Sequence, residues 1–188
     1  MRRVLLTSVL YTVVTTALLG VGYPMAVYVI AKVAFPQQAN GSLIEKNGTL
    51  VGSRLIGQSF SGDKYFHSRP SAAGAGYDAT SSGGSNLGPT SKKLVDRVEA
   101  SVAAEQVDHP GVAVPVDLVT TSGSGLDPDI TPAAAEYQVE RVAKQRGMTE
   151  AAVRSLVAKH TTERLFGLLG EPTVNVLELN LDLDSVSR

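Results

Sequence analysis

The sequence predicts an α+β protein: a single N-terminal transmembrane helix followed by one mixed α/β domain on the outer side of a membrane. Three observations predict it. Val4 to Ala31 is a predominantly apolar run with no charged residue, bracketed by Arg2, Arg3 and Lys32. The chain after Lys32 is polar, with 14 of the 17 basic residues against all 18 acidic ones. Helix-like and strand-like patterns alternate there without a regular βαβ repeat. The expected division is residues 1–35 for the N-terminal cytoplasmic tip and anchor, and 36–188 for the extracytoplasmic domain.

The anchor comes first. About 20 apolar residues cross the hydrocarbon core of a bilayer as a helix, and this run is longer. A signal peptide has an apolar core of roughly 7–15 residues and a small-residue cleavage site. The run is too long for that, and no clear site follows, so an uncleaved anchor is expected. Arg2, Arg3 and the amino terminus outweigh Lys32, which places the N-terminus inside and the domain outside. Ser8, Thr12, Thr16 and Gly20 recur every fourth residue and share one ridge, where small residues let another helix approach closely. Gly20-Val21-Gly22-Tyr23 is reminiscent of a potassium selectivity filter. A filter needs rings of backbone carbonyls, which one spanning helix does not supply. A kink at Gly22–Pro24 is the better reading.

Leu43 to Val51 reads as a hairpin, because Asn47-Gly48 suits a type I′ turn between apolar strands. Strand character is expected to continue from Arg54 to Phe60. Residues 61–90 are rich in Gly, Ser, Ala and Pro, yet carry Tyr65, Phe66, Arg69, Tyr77, Asn86 and Leu87, so a long ordered loop competes with a flexible linker. Thr90 or Ser91 should start a helix with Leu94, Val95, Val98 and Val102 on its apolar face. Val112 to Thr121 looks extended, and Ser122-Gly123-Ser124-Gly125 must turn. Thr131 caps a helix with Pro132 at its first position, a buried stripe at Ala135, Val139, Val142 and Ala143, and a stop at Gly147. Thr149 caps another, with Val153, Leu156 and Val157 inward. Leu177 to Leu183 alternate with polar residues, which predicts a half-buried strand with a bulge near Val176.

Composition excludes several chemistries. No cysteine is present, which removes disulfides, thiolate catalysis and zinc–sulfur sites. An acidic domain without tryptophan argues against nucleic acid and anionic lipid surfaces as partners. His67, His109 and His160 are too scattered for a metal set. Ser122 or Ser124 with His160 and Asp127 lacks the strand–elbow–helix context of a nucleophilic serine, since Asp127-Pro128 follows. No phosphate-binding Gly-x-x-x-x-Gly-Lys-Ser/Thr loop occurs. No catalytic residue and no metal ligand is therefore assigned.

Several motifs occur together in one order: Tyr65-Phe66 with Arg69-Pro70-Ser71; Gly83-Gly84-Ser85-Asn86-Leu87-Gly88-Pro89; Val119 to Pro128; Gln138 with Arg141-Val142-Ala143 and Arg146; and Val174 to Leu181. With the anchor, this pattern resembles the C subunit of the bacterial Kdp potassium-transporting P-type ATPase over nearly the whole chain. The resemblance implies an accessory, non-catalytic subunit of a high-affinity potassium uptake complex in the bacterial inner membrane. It implies as partners a potassium-binding, channel-like subunit and a P-type ATPase subunit. The complex uses ATP, Mg and K, none of them held firmly by this chain. The family is also described as raising the ATP affinity of the ATPase subunit, as a catalytic chaperone, which makes Gln138 with the Ser-Gly motif the nucleotide-contact candidate. An outward domain conflicts with direct ATP contact, so a nucleotide effect is read as transmitted through the anchor. A regulatory nucleotide-binding subunit and an anchored extracellular hydrolase are the alternatives. Tyr65, Phe66, Arg69, Asn86, Asp127 and Arg141 are the candidates for partner contact or internal scaffold.

Overall fold

The computed structural model describes residues 1–107 and 109–186, which form two compact units, Met1–Val51 and Gly52–Arg188.

The first unit holds the apolar helix. Helix α1 (Arg2–Thr15), a π-helical segment (Thr16–Gly22) and α2 (Tyr23–Ala34) run on as one 33-residue helix, Arg2–Ala34, none of whose most apolar stretch is covered. It is long and apolar enough to cross a membrane. The irregularity expected near Gly22–Pro24 takes the form of the π segment. Proline lacks an N–H, and its ring collides with the carbonyl four residues back. The widened turn puts the Tyr23 N–H on the Leu18 carbonyl just before Pro24, and the chain stays right-handed helical. Ser8, Thr7 and Thr15 return their hydroxyls to the carbonyls of Leu5, Arg3 and Tyr11, as hydroxyls do in a membrane helix. After a short turn, α3 (Pro36–Ala39), strands β1 (Leu43–Lys46) and β2 (Thr49–Ser53) pair. Asn47 and Gly48 join them with φ of 54° and 73°, the left-handed pair that a type I′ turn requires.

The second unit mixes helices with a small sheet, as expected of an α+β chain. The elements are α4 (Lys92–Glu105), α5 (Val116–Val119), β3 (Asp129–Ile130), α6 (Pro132–Arg146), α7 (Glu150–Lys159), β4 (Thr161–Thr162), β5 (Thr173–Asn175) and α8 (Val176–Val186). The sheet has the order β3-β5-β4, antiparallel throughout, with Ile130 opposite Val174 and Val174 opposite Thr161. Helix α6 begins as its sequence dictates: Thr131 Oγ1 accepts the Ala134 N–H at 3.2 Å, and Gly147 closes the helix at φ 63°. Thr149 caps α7 in the same way. Ala135, Val139, Val142 and Ala143 of α6 and Val153 and Val157 of α7 are buried. They pack with Phe66, Leu118, Ile130, Val174, Val176, Leu179 and Leu183 in one core.

Three expectations are corrected. The C-terminal segment is helix α8, not a strand, and Val176 opens it in place of a bulge. Its buried residues are Val176, Leu177, Leu179, Asn180 and Leu183, one helical face with asparagine in the middle of it. The apparent alternation came from assigning Asn180 to solvent. Second, within Val112–Thr121 the chain makes a helical turn, α5, which follows Pro115 and is closed by the Thr120 hydroxyl on the Val116 carbonyl at 2.7 Å. Asp117, buried there, accepts the Thr131 N–H at 2.7 Å and so ties α5 to the start of α6. Third, Arg54 to Phe60 form no strand. Ser53 Oγ accepts the Leu55 N–H, and the Gly57 N–H reaches the Leu126 carbonyl at 2.8 Å, which turns the chain away from β2. Helix α4 starts at Ser91 as expected, but its apolar face is only half-covered, and Val95 is exposed.

Candidate functional site

The segment 63–67 is the element around which the site residues gather. It runs irregularly across α6 and α8, and side chains hold its backbone. Asn180 Oδ1 accepts the Phe66 N–H at 2.9 Å, and Asn180 Nδ2 donates to the Phe66 carbonyl at 2.9 Å. One residue on, Gln138 Oε1 accepts the His67 N–H at 2.7 Å, and Gln138 Nε2 donates to the His67 carbonyl at 3.2 Å. A carboxamide carries an acceptor and donors side by side, so each amide stands in for the edge of a strand. Asn180 and Phe66 are fully buried, so those two bonds satisfy backbone groups that water cannot reach, while Gln138, 2% exposed, serves the half-buried His67.

Two arginines complete the clamp. Arg141 donates to the carbonyls of Asp63 (2.6 Å) and Tyr65 (3.0 Å) and to Gln138 Oε1 (2.8 Å). Arg146 donates to the Lys64 carbonyl, pairs with Asp184 at 2.9 Å, and lies 4.9 Å from the centre of the Tyr65 ring. With the second Nε2 hydrogen on the Ala134 carbonyl, the Gln138 amide has two bonds at each end. It has no capacity left for a ligand.

A second knot fastens the glycine-rich loops. Arg69 reaches Asp127 Oδ2 at 3.2 Å and the carbonyls of Thr120 and Thr121. Ser71 Oγ donates to the Gly125 carbonyl at 2.6 Å and accepts the Tyr77 N–H. The Gly83 N–H meets the Ser124 carbonyl at 2.8 Å. Gly125 sits at φ 67°, so close to Gly83 and Ala73 that a Cβ would come within 2.5 Å of the Gly83 oxygen.

The candidates thus divide. Tyr65, Phe66, Arg69, Asp127, Gln138 and Arg141 are engaged inside the second unit. Asn86 is exposed, in a left-handed loop position at φ 51°. Ser8, Thr12, Thr16 and Gly20 lie on the exposed helix, where Gly20 sits against Thr16, 3.7 Å from a methyl placed on it. The imagined hydrolase set does not assemble: Asp127 serves Arg69, while His160 and Lys159 both bond Asp182. No cluster suited to a metal ion occurs among the described residues. The cleft beside Arg141, bounded by Asp63, His109 and Glu140, holds about 110 Å³. Ligand pockets run roughly 300–1,000 Å³, so it is small for a nucleotide. Sequence reasoning missed Asn180. Its one signal was a polar residue amid leucines, which pattern rules send to the surface.

The clamp carries a pH signature. Burial, then the Arg141 charge, hold the His67 pKa below its ordinary 6.5. The fold therefore favours the neutral ring. This contribution is full above pH 6.5 and is lost as pH falls below it, because the unfolded chain takes up the proton first. We expect the melting temperature to begin falling just below pH 6.5, and His67→Gln to flatten that limb. Asp182, held at about 2 by Lys159 and then His160, adds a separate loss between roughly pH 4 and 2.

The chain is similar to known proteins over nearly its whole length. The family model described as "K+-transporting ATPase, c chain" matches residues 5–185. The chain belongs to the KdpC family. It is 61% identical over 184 residues to a potassium-transporting ATPase KdpC subunit of Koribacter versatilis, covering 98% of this chain and 95% of that one. With the KdpC subunit of Acidobacterium capsulatum it shares 62% over 180 residues, or 96% and 97% of the two chains. With that of Bradyrhizobium diazoefficiens it shares 55% over 196 residues, 98% of each. The match takes in both the apolar helix and the second unit. In this KdpC chain Tyr65, Phe66, Arg69, Asp127, Gln138 and Arg141 are internal fastenings, while the helix ridge and Asn86 are exposed.

Proposed function

We propose that this KdpC chain is the accessory, non-catalytic subunit of a high-affinity, ATP-driven potassium uptake complex, required for its assembly and activity. The observation that carries this reading is the family match over residues 5–185. The chain is anchored in the bacterial inner membrane with its N-terminus in the cytoplasm, by the excess of Arg2 and Arg3 over Lys32, and its domain lies outside. Its partners are the potassium-binding, channel-like subunit and the P-type ATPase subunit, with the Ser8 to Gly20 ridge docked on a partner helix. ATP, Mg and K belong to those partners.

Any rise in the ATP affinity of the ATPase subunit reaches it indirectly. The saturated, buried amide of Gln138 supports this, since binding a nucleotide would cost its four internal bonds. The test is potassium uptake and ATP dependence in cells and membranes carrying the other subunits. Without this chain, high-affinity uptake should be lost. A protein truncated after residue 51 should fail as well, and normal uptake by either strain would sink the reading. Labelling of the wild-type complex with a photoreactive ATP analogue should mark the ATPase subunit alone. Labelling of this chain would favour the direct nucleotide-binding role instead.

A further inference from the structure

The chain carries two Asn-Gly pairs, Asn40-Gly41 and Asn47-Gly48, and the fold treats them oppositely. In this dipeptide the side-chain amide lies open to attack by the next backbone nitrogen, because glycine has no Cβ to obstruct it. The other asparagines, Asn86, Asn175 and Asn180, precede leucine or valine, whose side chains hinder that attack. At Asn40 both reactants are held. Asn40 Nδ2 donates to the Pro36 carbonyl at 2.7 Å, Asn40 Oδ1 accepts a hydrogen bond from Lys32 Nζ, and the Gly41 N–H donates to the Gln38 carbonyl at 3.0 Å. At Asn47 neither is held. Asn47 and Gly48 are exposed at the hairpin tip, and among the described residues no hydrogen bond occupies the Asn47 amide or the Gly48 N–H. Strands β1 and β2 also form a sheet of two strands only. A hairpin of that kind is marginal in water, so its turn opens often.

We propose that Asn47 is a site of spontaneous covalent modification, deamidation, from which the fold protects Asn40. The Gly48 nitrogen attacks Asn47 Cγ. A C–N bond forms, the Gly48 nitrogen gives up its proton, and the Cγ–Nδ2 bond breaks to release ammonia. The product is a cyclic imide, a succinimide. Water then opens the ring at either carbonyl. Attack at Cγ leaves an aspartate, and attack at the backbone carbonyl leaves an isoaspartate, whose chain runs on through the former side chain. Water is the only co-reactant. The ring holds the Asn47 backbone outside the left-handed region that the type I′ turn requires, so the reaction proceeds from the opened turn. Either product adds a carboxylate to the hairpin. The isoaspartate also adds a methylene to the backbone, for which a two-residue turn has no place, so β1 and β2 lose their register. The inference stands on the two Asn-Gly environments and not on the subunit role proposed above.

The test ages the purified full chain, folded in detergent micelles in mildly alkaline buffer. Each asparagine is followed by peptide mapping with mass spectrometry and by isoaspartate-specific enzymatic methylation. Aspartate and isoaspartate should accumulate at position 47. At position 40 they should form more slowly by roughly tenfold or more, because its hydrogen bonds must first be broken. The same chain unfolded in guanidinium should bring the two positions to comparable rates. Asn47→Gln, whose longer side chain must close a larger ring, should stay unmodified there. The isoaspartate-containing fraction, separated by ion exchange, should exchange the amide hydrogens of 43–53 faster than the unmodified chain. Equal or faster reaction at position 40 in the folded chain, no reaction at position 47, or a rate ratio that survives unfolding overturns the proposal. Unchanged amide exchange overturns the effect drawn for the hairpin.

Discussion

Asn180→Leu should lower the melting temperature of the full chain by roughly 10 °C, although it replaces a polar residue with the one that dominates its surroundings. The two side chains share one branched shape, though leucine's methyl groups are bulkier than the amide and add some overpacking. The main loss is in hydrogen bonds. Asn180 is fully buried and serves both the N–H and the C=O of Phe66, itself fully buried. Leucine leaves both groups unpaired without water. Each such group costs about 1–3 kcal/mol, which gives about 2–6 kcal/mol together, and domains of this size lose about 2–4 °C per kcal/mol. Leu181→Asn is the matching control. A strand with Leu177, Leu179, Leu181 and Leu183 inward makes position 181 the sensitive one. In helix α8, Leu181 is only half-buried, so its replacement should cost clearly less. Thermal melts of the two variants side by side decide it, and the reverse ranking would restore the strand.

Gly125→Ala should be similarly severe, while Gly123→Ala, two residues away in the same Ser-Gly-Ser-Gly run, should be neutral within about 0.5 kcal/mol. A Cβ at Gly125 would lie 2.5 Å from the Gly83 oxygen and 2.7 Å from the Ala73 nitrogen, both backbone atoms. These atoms have little room to retreat, because the Gly83 N–H is bound to the Ser124 carbonyl and Ser71 holds the Gly125 carbonyl. The φ of 67° adds its own penalty of roughly 1–2 kcal/mol for any L side chain. With about 1–3 kcal/mol for overpacking, the total is about 2–5 kcal/mol. At Gly123 a Cβ meets nothing within 4 Å. Melting temperatures and protease resistance of the 61–90 loop measure both. Equal effects at the two glycines would mean that composition, not close approach, explains the motif.

These two cases show what kind of information the chain displays openly. The ends of α6 and α7 could be read from Thr131, Gly147 and Thr149 because a cap is made within three or four residues of itself. The hairpin at Asn47–Gly48 is equally local. The glycine-rich motifs marked the loop knot, although composition alone left a linker open. Gln138, Arg141 and Arg69 stood out through their place in a family pattern, which drew attention to them without giving their roles. Their geometry makes them fastenings of segment 63–67 and of the loops.

The sequence by itself determined the long apolar helix, the hairpin turn, the capped helices and the family. Each is set by neighbours along the chain or by the order of motifs in it. Only the tertiary structure decided the state of the C-terminal segment, the work of Gln138 and Asn180, and which of the two Asn-Gly pairs is held. The physical reason is distance along the chain. Asn180 finds its partner 114 residues away and Gln138 finds its own 71 residues away. A buried asparagine bonded at that range looks, in the sequence, like any residue that faces water.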